Sequence, residues 1–225
     1  MSGPRHDIYA PIHKALRAAL CDLLVRLGRT DFAQPAACAA VLADARAQLR
    51  FSAAHLQHED EHIHPALLTR APEMVARLEH DHREHEAEFQ ALESLIRAVE
   101  TAAPADRAQA GHRLYLAFAE FVAHDLGHMT QEEQVTGPLL HQLFTDPELQ
   151  AMEAAIVSSM PPEEAMAAVA VMIPAMNPAE RAAFLGFVRD TAPPEAFGAM
   201  IAVAAKPTLP ANDWADLAER LGLAA

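Results

Sequence analysis

The phrase His-x-x-x-Glu-x-x-x-x-x-Pro occurs twice in this chain. Its members are His55, Glu59 and Pro65 in HLQHEDEHIHP, and His128, Glu132 and Pro138 in HMTQEEQVTGP. Residues four apart on a helix share a face, so each copy aims an imidazole and a carboxylate in one direction. Those two groups are ligands for transition-metal ions. A duplicated pair, closed by proline at the same distance, points to a bundle that repeats a metal-ligating helix.

Four long helical segments before Asp146 must position these groups. The first runs from about Ile8 to Leu27 and stops at Gly28, a natural helix end. Asp31 is the expected cap of the second, which continues to about Leu68. Pro72 opens the third and Pro104 the fourth, both suited to a first helical turn. On the third, Val75, Leu78, His82, His85, Phe89, Leu92 and Ile96 recur in steps of three and four, so this face looks inward. The fourth reads Leu114, Phe118, Phe121, His128, Glu132, Val135 and Leu139, and the first places His13 with Leu16, Leu20 and Leu27. Polar groups on apolar stripes cost free energy unless they find partners, and a metal ion is an efficient partner.

Beyond Asp146 the pattern changes. Proline followed closely by acid marks short-helix starts at 146–148, 160–164, 177–180 and 193–195. The expected organisation is therefore a bundle over 1–145 and a helical extension over 146–225. The extension holds no histidine and six of the nine methionines, which suits an adaptable packing surface. A homodimer or protein partner through 147–225 is one use for it.

The composition supports this outline. Apolar residues make up 52% and aromatics only 5%, with Ala and Leu dominant, which favours helices over strands. The net charge of 17 − 31 = −14, without a basic cluster, argues against nucleic acid and anionic membrane surfaces. The longest apolar stretch, Ala165 to Met176, is too short to span a bilayer. Cys21 and Cys38 fit no zinc spacing, and with no signal peptide read at the start a reducing cytoplasm is the expected compartment.

All thirteen histidines precede position 142. His6, His112 and His141 read as surface or boundary residues, and His58 and His64 as members of a solvated face. His13, His55, Glu59, His82, His128 and Glu132 differ, because each falls on an inward stripe and together they bring ligands from four helices. His85 shares the third-helix stripe and His124 precedes His128 by one turn, so each is an extra ligand or a residue that supports one. Tyr9, one turn before His13, either faces the cluster or is a plain core tyrosine.

With IHKALR around His13, HLQHEDEHIHP, DHREHEAEFQAL around His82 and HMTQEEQVTGPLL, the chain resembles the hemerythrin-like (HHE cation-binding) family over about residues 8–143. That resemblance implies an up-down four-helix bundle with a non-haem di-iron centre, oxo- or hydroxo-bridged. It also implies that Glu59 and Glu132 bridge, with His13 and His55 on one iron and His82 and His128 on the other. Zinc or manganese would suit the same donors.

The sequence departs from the oxygen-carrying members of the family. Four residues before His82 stands Leu78 where they carry a second histidine, and the fourth helix has His-x-x-x-Glu instead of His-x-x-x-x-Asp. Two six-coordinate ions offer about twelve positions, of which four imidazoles and two bridging carboxylates take about eight. Open positions invite outside ligands, so the expected function is to bind and react with, or sense, dioxygen, peroxide or nitric oxide. The alternative is a metal-dependent binding module or an iron donor without turnover. No nucleotide-binding glycine loop or nucleophile elbow is present, so any reductant comes from outside the chain.

Overall fold

A computed structural model describes residues 5–223, and every regular element among them is helical. The protein is all-α, with long helices through residue 143 followed by shorter ones. Contacts divide it into two compact units, one built from residues through Tyr9 and Ala19–Ile156, the other from Ala10–Ala18 and the chain from Val157 onward.

Helix α1 spans Ala10–Arg29 and buries Leu16, Leu20, Leu23 and Leu27. It ends one residue past Gly28, at an extended Thr30, so Gly28 is not a left-handed cap. Its small size serves close packing instead, since a Cβ there would sit 3.0 Å from the Tyr115 ring. Asp31 accepts a hydrogen bond from the Ala33 N–H in a short turn, and α2 begins later, at Pro35.

Helix α2 (Pro35–His58) runs through a π turn at Glu59–Ile63 into α3 (His64–Leu68). The same event recurs where α5 (Arg107–Gln131) passes through a π turn at Glu132–Thr136 into α6 (Gly137–Leu143). In the first turn the His64 N–H donates to the Glu59 carbonyl, and in the second the Gly137 N–H donates to that of Glu132. Each donor immediately precedes a repeated proline, Pro65 or Pro138. Proline lacks an N–H and its ring crowds the preceding helical turn, and a wider five-residue turn relieves that conflict. The repeated spacing from Glu to Pro is thus the sequence form of a repeated π turn.

The π turn changes the buried face. Val135, expected on the inward stripe, is 43% exposed, while Thr136 and Leu140 are buried. One extra residue in the turn rotates everything after it by roughly 100° relative to α-helical phase.

Helix α4 (Pro72–Thr101) packs against α2, α3 and α5. It buries Val75, Leu78, His82, His85, Leu92 and Ile96 as its periodicity requires. Helix α5 starts at Arg107 rather than Pro104, because residues 104–106 form a turn that donates Asp106 N–H to the Ala103 carbonyl. At one end of this unit Tyr9, Ile63, Leu67, Val75, Leu78, Leu140, Phe144 and Leu149 form a single apolar cluster.

The later helices are α7 (Asp146–Ser159), α8 (Pro162–Ala175), α9 (Pro178–Thr191), α10 (Pro194–Met200) and α11 (Ala211–Leu221). The first four of these start at the four proline–acid signals, α11 starts after Pro210 instead, and α9 is fixed by a capping box between Asn177 and Glu180. Ile173, Leu185, Leu209, Leu217 and Leu221 give this second unit its own core. Buried Arg181 binds the Ile173 carbonyl and Asp213 inside it. No single helix among the described residues is long and apolar enough to cross a membrane.

Candidate metal centre

Two helix ends and one helix middle converge inside the first unit. His55 and Glu59 close α2, His128 and Glu132 close α5, and His82 sits mid-way along α4. All five are buried. His55 Nε2 lies 3.3 Å from Glu59 Oε1, His82 Nε2 3.4 Å from Glu59 Oε2, and His128 Nε2 3.5 Å from Glu132 Oε1. Glu59 therefore turns one oxygen to the imidazole of its own helix and the other to an imidazole on α4.

The donor atoms fall into two overlapping groups. Ligand atoms of His55, Glu59 and Glu132 lie within 4.8 Å of one another, and so do those of Glu59, His82, His128 and Glu132. Both carboxylates belong to both groups. His13, on the first turns of α1 and in the stretch that contacts assign to the second unit, is fully buried.

This donor set fits metal ions by a direct test. The Nε2 atoms of His82 and His128 are buried without a hydrogen-bond partner, each facing a carboxylate just beyond good hydrogen-bonding distance. Metal–nitrogen and metal–oxygen bonds of about 2.0–2.2 Å put neighbouring ligands on one ion roughly 3–3.5 Å apart. The separations at this site match that range.

Electrostatics point the same way. Burial, then the charge of Glu59, raises Glu132 well above the usual carboxyl range. Burial pushes His128 down to about 3. Burial also opposes charge on His82, yet its contacts with Asp60 and Glu59 carry it up to about 9. Without a cation, burial and the nearby Glu59 charge thus disfavour the ionised form of Glu132.

Asp60 is the residue that helical periodicity does not reveal. Its side chain is 40% exposed, but Oδ1 lies 2.9 Å from His82 Nδ1 and 2.8 Å from His64 Nδ1. Burial alone would raise its carboxyl, whereas contact with those two rings holds it well below the usual range. His64, expected on a solvated face, is buried, with its ring 4.8 Å from that of His82. The π turn at Glu59–Ile63 shifts the helical phase and brings His64 inward. The one visible signal was proline inside a helical run.

The remaining expected residues lie around this set. Tyr9 is buried beside Val75 and Leu78, and burial, then Glu132 and Glu59, push its phenol well above the ordinary value. His85 and His124 do not join the groups that contain Glu59 and Glu132. They form a separate group with Glu88.

A family model described as "Hemerythrin HHE cation binding domain" matches residues 7–140, more than half of the chain. No curated protein matches it.

Proposed function

The chain belongs to the hemerythrin HHE cation-binding family, and we propose that its bundle holds two iron ions which bind and react with, or sense, dioxygen, peroxide or nitric oxide. The observation that carries this reading is that two donor groups share both Glu59 and Glu132. One ion would be held by His55 with His13, the other by His82 with His128, and both carboxylates would bridge. Full burial of His13 on an otherwise apolar helix face supports its place in the set.

Ferrous iron supplies electrons and open coordination positions; the protein supplies everything else. Asp60 fixes the His82 ring so that Nε2 faces inward. Tyr9 stays a neutral phenol, and with Ile63 and Leu78 it closes one end of the site against water. Four imidazoles and two carboxylates leave about four of twelve positions for water or an incoming molecule. Anaerobic ferrous titration tests the reading, with saturation at two ions per chain and a new visible absorption on exposure to oxygen. Saturation without any redox change contradicts it.

One contact favours a second reading, a metal-dependent sensor module or iron donor without turnover. Lys14, the neighbour of His13, pairs with Glu180 on α9. Residues 147–225 also carry exposed Phe187 and Val203, which suit a protein partner. Equal protease sensitivity and equal partner binding with and without metal would remove this reading. Transfer of iron to an apo acceptor would identify a donor.

A further inference from the structure

We propose that His85, Glu88 and His124 form a second, solvent-open site for a borderline divalent cation such as zinc, separate from the bundle centre. His85 and Glu88 lie one turn apart on α4, and His124 projects from α5. Glu88 Oε2 is 3.1 Å from His85 Nδ1, and both Glu88 oxygens are 3.1 Å from His124 Nδ1. The two imidazoles stack with centroids 4.4 Å apart, which puts both Nδ1 atoms against the same carboxylate. Two nitrogens and one carboxylate, with a further position facing water, is the donor set of an open zinc site. His124 is 39% exposed and Glu88 33%, so a cation reaches the group from solvent, while His85 is fully buried and anchors it.

The far side of His85 separates a cation site from a plain hydrogen-bonded triad. In a triad, the His85 Nδ1–H donates to Glu88 and leaves the Nε2 lone pair pointing inward. That Nε2 is buried without a hydrogen-bond partner, and the nearest acidic atom, Asp125 Oδ1, lies 3.9 Å away. A lone pair facing a carboxylate is unfavourable. Cation binding at Nδ1 moves the ring proton to Nε2, where the Asp125 carboxylate 3.9 Å away favours it by charge, as a carboxylate behind a ligating histidine does. The surroundings of His85 therefore match the tautomer that ligates.

The site stands whether or not the bundle centre holds iron, because none of its three donors belongs to the groups around Glu59 and Glu132. Equilibrium dialysis of the full chain against Co2+, with visible absorption, tests it in wild type, His124→Ala and Glu88→Gln. Both variants should bind one equivalent fewer than wild type and lose one set of cobalt ligand-field bands, with the metal-free circular dichroism unchanged. His124 is exposed enough that its variant folds even if Glu88→Gln does not. Equal cobalt equivalents in wild type and His124→Ala overturn the proposal, whatever number the bundle centre contributes.

Discussion

Asp60 Oδ1 sits 2.9 Å from Nδ1 of His82, and this contact turns Nε2 of the same ring toward Glu59, 3.4 Å away. Asp60 and Glu59 are sequence neighbours, so the two sides of one imidazole are set by adjacent residues at the start of a π turn. Proline at 65 is thereby linked to the geometry at His82 through the π turn and the Asp60 and Glu59 side chains it positions. The following expectations come from that linkage and from the packing around it.

Asp60→Ala frees the His82 ring to rotate without touching a residue of either Glu59–Glu132 group. Metal affinity should fall by about 10–100-fold, the usual effect of losing a carboxylate behind a ligating histidine. Chelator competition measures it, and Asp60→Asn should lose less because its amide oxygen still accepts the Nδ1 proton.

The metal-free protein should show a pH response of definite sign. His82 is raised from 6.5 to about 9 in the fold, so its stabilising contribution is complete below 6.5 and is lost as pH rises through 9. His128 is lowered to about 3, so its contribution is present above 6.5 and is lost as pH falls toward 3. Thermal midpoints across this range should decline on both sides of neutrality. Metal uptake near pH 7 should also release at least one proton per chain, read from calorimetry in buffers of different ionisation enthalpy.

Glu132→Gln removes a carboxylate common to both donor groups. Metal content should fall from two ions per chain to one at most. The metal-free variant should melt higher than metal-free wild type, because an amide replaces a buried acid that sits beside Glu59. Elemental analysis and thermal unfolding report the two effects separately.

Gly111→Ala tests the packing and leaves the metal alone. A Cβ at Gly111 would meet the buried Phe32 ring at 2.3 Å, so the ring must move. Destabilisation of about 1–3 kcal/mol is expected from such overpacking, with metal content unchanged.

Much of this was legible in the residues. Steps of three and four along α4 marked Val75, Leu78, His82, His85, Leu92 and Ile96 as one buried face, because an unbroken α-helix keeps its phase. The phase fails where the π turns intervene, which is why Val135 points outward and Thr136 inward. His64 and Asp60 were hidden for the same reason. Glu88 was missed differently: it lies off the stripe, and its pairing with His124 depends on how α4 and α5 face each other, which one helix's periodicity does not contain.

Mössbauer spectroscopy with iron quantitation, on full-length protein made in iron-57-enriched medium without other added metal, tests the central claim most directly. The account predicts two irons per chain whose oxidised spectrum shows a magnetically coupled pair. One uncoupled iron per chain, or a chain filled with zinc and silent in the spectrum, would contradict it.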